Sequence, residues 1–157
     1  MPSSSATTAD VFAALAAGAA AESPLWAEAL LPEAEQEREP VFSPLVDSRF
    51  ALGLETIYEG YLLHYGRPRL FAPPDGDVAL LLGDYLYAHG LVRIAATGDL
   101  DAVATLAELI SACAALRAEG ATDGGDEWLR AAERLGGSRD GGAAAARARA
   151  AHARRLS

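Results

Sequence analysis

VALLLGDYLYAHGLVRIAAT, residues 78 to 97, decides how the rest of the chain reads. Val78, Leu80, Leu81, Leu82, Tyr85, Leu86, Leu91, Val92 and Ile94 leave hardly any polar side on a helical wheel. A helix apolar almost all round belongs in the middle of a bundle or against another subunit. Asp75 or Asp77 can cap its first turn through a side-chain oxygen, and Gly98 tolerates the left-handed geometry that ends it.

The flanking sequence is helical too. Upstream, Phe50, Leu54, Ile57, Tyr61 and Leu62 recur at near-helical spacing, which predicts a third helix over about Leu45 to Tyr65. GRPRLFAPPDG, residues 66 to 76, carries three prolines and reads as a loop. Downstream, Asp99 caps a fifth helix to about Glu119, with Leu100, Val103, Leu106 and Ile110 on one face. Before these, a helix capped by Thr8 or Asp10 runs to about Ala21. Another starts at Ser23-Pro24 and stops near Pro32, whose nitrogen has no hydrogen to donate. Glu33 to Glu39 is a charged surface segment. A turn at 122 to 126 leads to a short helix with Trp128, Leu129 and Leu135.

The predicted class is all-α, a single helical bundle over residues 8–135. Residues 1–7 are expected to be disordered, and residues 136–157 form a Gly/Ala/Arg-rich basic tail. Composition agrees: hydrophobic residues make up 51% but aromatics only 7%, and much of the remainder is alanine, which loses least on entering a helix.

Charge narrows the function. The net charge is −9, and all 13 cationic residues are arginines. Five of these arginines and one aspartate give the tail +4, which leaves −13 on the body. So acidic a body is a poor nucleic-acid binder. The tail reads as a solvated, frayed end, with docking onto an acidic partner surface as the sharper alternative. Cys113 is the only cysteine and lies in an apolar run, so no intrachain disulfide can form and inert packing is expected. No apolar run reaches the roughly 20 residues of a membrane span, and no signal peptide is read, so the expected location is the cytoplasm with no transmembrane segment.

Few residues carry chemistry. His64, His89 and His152 lack local metal-ligand spacing. No nucleophile elbow or phosphate-binding glycine loop is present. Asp84, deep in the apolar helix, is expected to be buried and held by a hydrogen bond or an arginine, with Arg67 and Arg93 nearest in sequence. Glu55 and Glu59, one turn apart, are expected to form a solvated acidic face. Leu82, Gly83, Tyr85, Leu86 and His89 join Asp84 as the candidate interface and structural residues. No catalytic, cofactor-binding or metal-binding residue is assigned.

The stretch from about Arg49 to Glu119 resembles the trans-prenyl diphosphate synthase (polyprenyl synthetase) family. Leu62-Leu-His64 resembles the end of the helix leading into the family's first Asp-rich motif. Gly66-Arg-Pro68 resembles the Arg-Gly-x-Pro element beyond that motif, and Val78 to Ala88 resembles the helix bearing a Gly-Asp pair. Between the first two elements only Tyr65 stands where the family places its aspartates. Asp123 and Asp126 do not match the second Asp-rich motif, and the chain is about half the family's usual length. Those aspartates hold the magnesium ions that neutralise the departing diphosphate. The resemblance therefore implies a partial isoprenoid-synthase fold and a non-catalytic small subunit of a heteromeric long-chain prenyl diphosphate synthase. Such a subunit completes the dimer and helps set product length. It binds no cofactor itself, and Mg2+ is expected in the catalytic partner subunit. The competing readings are a stand-alone helical interaction or scaffold protein and a lipid- or prenyl-binding helical module.

Overall fold

The computed structural model describes residues 8–121, 123–136 and 142–157. The expectation for residues 1–7 lies outside them, as do Arg139 and Asp140 of the tail. The described residues are all-α. The helices are α1 (Thr8–Glu22), α2 (Pro24–Ala29), α3 (Ala51–Tyr65), α4 (Gly76–Ala95), α5 (Leu100–Ala118), α6 (Gly125–Arg134) and α7 (Gly142–Leu156). Single 3-10 turns lie at Glu33–Glu35, Ser43–Leu45 and Ser48–Phe50.

Local chemistry sets the boundaries. Ser23 caps α2 by accepting the Leu25 N–H, Asp75 caps α4 from Val78, and Asp99 caps α5 from Ala102. The third helix begins six residues later than predicted. Asp47 accepts the Arg49 N–H, and two 3-10 turns use up the segment from Ser43 to Phe50. After α2 the chain is extended. Residues 29 to 31 pair with 70 to 72, with Leu31 N–H donating to Leu70 O (2.8 Å) and Ala72 N–H to Ala29 O (2.8 Å). This fastens the proline-rich loop to the body.

The α3–α4 pair is the spine. Gly53 and Gly60 on α3, seven residues apart, face Gly90 and Gly83 on α4, also seven apart. A Cβ on Gly60 would lie 2.9 Å from Gly83 O, and one on Gly90 would lie 3.0 Å from Gly53 O. The backbones touch where side chains are missing. Two apolar clusters flank this seam. One joins α3 to α5, α6, α7 and the Val41–Phe50 segment around Tyr58, Leu106 and Trp128. The other joins α1 and α2 to α4 around Phe12, Leu15, Leu82 and Leu86.

The basic tail departs from its expectation. Residues 142 to 156 form a docked helix that buries Ala144, Ala148, Ala151, His152 and Arg155. Small alanines let it lie close, and its arginines meet acids of the same chain. Arg155 donates to Glu37 (2.8 Å), Arg149 to Asp126 (2.5 Å), and Arg154 lies 3.5 Å from Glu39. The expected frayed end is a clasp on the acidic 37–39 segment.

Candidate functional site

The residues of α4 fall on two faces. Leu82, Tyr85, Leu86 and His89 follow the spacing of one helical side. The chain itself covers that side. Leu82 and Leu86 are fully buried in the α1–α2 cluster. The Tyr85 ring lies 5.8 Å from Trp26 and stacks on His89 at 5.4 Å. Burial lowers the pKa of His89, and Arg93 lowers it further. Gly83 is buried on the α3 seam, where an added Cβ would lie 2.7 Å from His64 Nε2.

Asp84 is a correction. Its side chain is 64% exposed, so it needs no buried partner. Neither Arg67 nor Arg93 holds it. His64 Nε2 lies 3.1 Å from its Oδ1, outside good hydrogen-bond geometry. Helical rotation explains the difference: Gly83 faces α3, and the next residue turns 100° away from it.

Asp84 marks the other face. Leu80, Leu81 and Ala88, three or four residues away, neighbour it on the helix, Val92 lies two turns on, and Leu100 at the start of α5 is exposed as well. Leu80, Leu81, Val92 and Leu100 are 53%, 55%, 63% and 75% exposed. Among the described residues these are four of the five large hydrophobics that face solvent. Three of them, Leu80, Leu81 and Val92, belong to the one helix α4. Asp84 lies within this face, one turn from Leu80, Leu81 and Ala88, and puts a negative charge on it. By length and composition α4 also suffices to cross a membrane, yet a third of it is buried within the chain.

A second polar centre lies inside, and it corrects the reading of Glu55 and Glu59. Both are completely buried, and Arg69 of the proline-rich loop lies between them, equally buried. Arg69 Nε donates to Glu59 (2.9 Å), one Nη to Glu55, and the same Nη to Glu39 O (2.8 Å). Glu59 also accepts the backbone N–H groups of Arg69 (2.9 Å) and Leu70 (2.8 Å). The guanidinium faces the rings of Phe12 and Tyr58 at 4.8 and 5.0 Å. Burial works against the charge on Arg69, but the two carboxylates outweigh it and raise its pKa. The cluster ties α1, α3, the 39–41 segment and the loop together. Its carboxylates are occupied by protein donors, so the pair is a structural tie. The sequence clue was an arginine beside Leu70-Phe71, opposite two acids one turn apart on an apolar helix.

His152, which the sequence offers only as a histidine without ligand spacing, is buried. Its Nδ1 lies 2.7 Å from Tyr58 Oη and its Nε2 2.7 Å from Asp123 O, against the rings of Phe42, Tyr58 and Tyr61, which Trp128 packs against in turn. An alanine-rich tail offered no signal for this. Cys113 behaves as expected of a packed thiol: burial pushes its pKa up to about 12. Among the described residues no three His, Cys, Asp or Glu side chains converge as a metal set.

Comparison with family models, with curated proteins and with solved structures finds no match to this chain. The functional reading therefore rests on residues and geometry.

Proposed function

We propose that this chain is a non-catalytic subunit of a heteromeric polyprenyl diphosphate synthase, acting in the cytoplasm. The outward apolar face of α4 is the observation that carries it. A helix that exposes Leu80, Leu81 and Val92 offers apolar surface that another helix can bury. The same helix bears the Gly83-Asp84 pair of the prenyl-synthase resemblance. The glycine seam supports that reading as well, because it packs α4 close against α3 and leaves Leu81 and Val92 on the other side of the helix. In this proposal the catalytic subunit supplies the aspartates and the Mg2+ that ionise the allylic diphosphate, and this chain supplies half of the interface.

The test is co-expression with a full-length trans-prenyl diphosphate synthase from the same genome. The expected result is a complex that co-elutes and elongates an allylic diphosphate with Mg2+, while this chain alone does not. Turnover by the pure chain would refute the subunit role. A stable monomer that ignores every such synthase would favour the stand-alone interaction protein.

A further inference from the structure

We propose that α7 is a pH-released arm, latched by the neutral imidazole of His152. The geometry selects the tautomer of the neutral ring. Nε2 faces the carbonyl oxygen of Asp123 at 2.7 Å and must carry a hydrogen. Nδ1 is then the acceptor for the Tyr58 hydroxyl at 2.7 Å. Both nitrogens are satisfied by one proton between them. A second proton on Nδ1 would meet the oxygen of Tyr58 and turn that hydroxyl around, leaving its hydrogen among aromatic rings with no acceptor.

The surroundings do not compensate a positive ring. From α3, Tyr58 and Tyr61 face it, and burial raises both phenols above their ordinary pKa. From α5, Arg117 repels a second positive charge. The loop before α6 offers the Asp123 carbonyl, and that residue's Oδ1 is engaged by Gly125 N–H (2.8 Å). From α6, Trp128 packs in the same cluster, and Asp126 is held by Arg149. The preceding segment contributes the Phe42 ring, while Glu37 is occupied by Arg155. On α7 itself, Arg149 adds like charge. Burial lowers the His152 pKa from its ordinary 6.5, although Asp123 pulls the other way.

The sign follows from linkage. A histidine that is neutral when docked and free to protonate when released binds more protons in the released state. Docking is then at full strength above pH ~6.5 and weakens as the pH falls below it. The ion pairs of α7 respond lower. The hydrogen bond from Arg155 and its charge hold Glu37 below its ordinary 4.5, and Arg149 holds Asp126 below 3.8. Weakening that sets in below pH 6.5 therefore belongs to His152.

Hydrogen–deuterium exchange on the full chain between pH 8 and 5, corrected for intrinsic rates, tests this. The expected result is that protection of residues 142–156 falls by up to about tenfold per pH unit below 6.5, while α3 stays protected. His152→Gln keeps a donor and an acceptor without a titrating ring and should flatten the response. Equal protection at every pH in the unmodified chain, or an unchanged response in the variant, would overturn the proposal. If the variant fails to dock α7, side-chain 15N NMR of the unmodified chain decides. A neutral His152 protonated on Nε2 at pH 7.5, titrating together with α7 exchange, supports it. A ring already charged at that pH, or one that titrates without α7 opening, refutes it.

Discussion

Helices α3 and α4 lie side by side and reverse what their compositions suggest. α3 carries Glu55, Thr56 and Glu59, yet eleven of its fifteen residues are buried. α4 is apolar almost all round, yet it turns Leu80, Leu81 and Val92 to solvent. Position in the bundle, and the partners available there, decide burial. Arg69 and the backbone amides of the proline-rich loop allow two carboxylates to sit in the centre. Among the described residues nothing covers Leu80, Leu81 and Val92 on the outer side of α4 to the same extent.

The largest expected effect removes the device that makes α3 tolerable as a core helix. Arg69→Met leaves Glu55 and Glu59 buried without their cation and should destabilise the fold by ~3–5 kcal/mol. Urea denaturation checks this, and Glu55→Gln/Glu59→Gln in the Arg69→Met background should recover part of the loss. A loss below about 1 kcal/mol would mean that the buried acids do not depend on Arg69.

Next comes the seam between the two helices. Gly60→Ala and Gly90→Ala each push a methyl group against backbone oxygen, at 2.9 Å from Gly83 O and 3.0 Å from Gly53 O. Each should cost ~1–3 kcal/mol through forced separation. Thermal unfolding of the two variants measures it. Alanine favours helix, so a gain in stability at both positions would show that the helices do not meet as closely as described.

The smallest effect is expected on the outward face. Asp84→Ala removes a mostly exposed carboxylate beside His64 and should change stability by less than ~1 kcal/mol. A loss of several kcal/mol in the isolated chain would restore the buried role read from its apolar neighbours.

These differences also show what the sequence makes legible. The all-α class, the cap at Asp99, a cap at Asp75 or Asp77 and a helix start at Ser23-Pro24 can be read from residue types and spacing, although the choice of Asp75 needs the structure. The heptad spacing of Gly53 with Gly60 and Gly83 with Gly90 is visible once both helices are aligned antiparallel, an alignment only tertiary structure supplies. Asp84 was misplaced because hydropathy does not say which way a helix without a polar face is turned. Glu55 and Glu59 were misread because their cation lies on a loop ten or more residues away. The tail was misread because alanine gives a weak apolar face, and its acidic clasp lies more than a hundred residues upstream.

The most direct test of the account is the affinity of this chain for the catalytic synthase proposed as its partner, measured by sedimentation with and without Leu81→Glu/Val92→Glu. Both side chains are more than half exposed, so the variant should fold with unchanged stability in isolation. Burying a leucine and a valine stabilises an interface by roughly 1.5–3 kcal/mol each, so the complex should weaken by about 100-fold or more. An unchanged dissociation constant would place the partner elsewhere and contradict the role assigned to the outer face of α4.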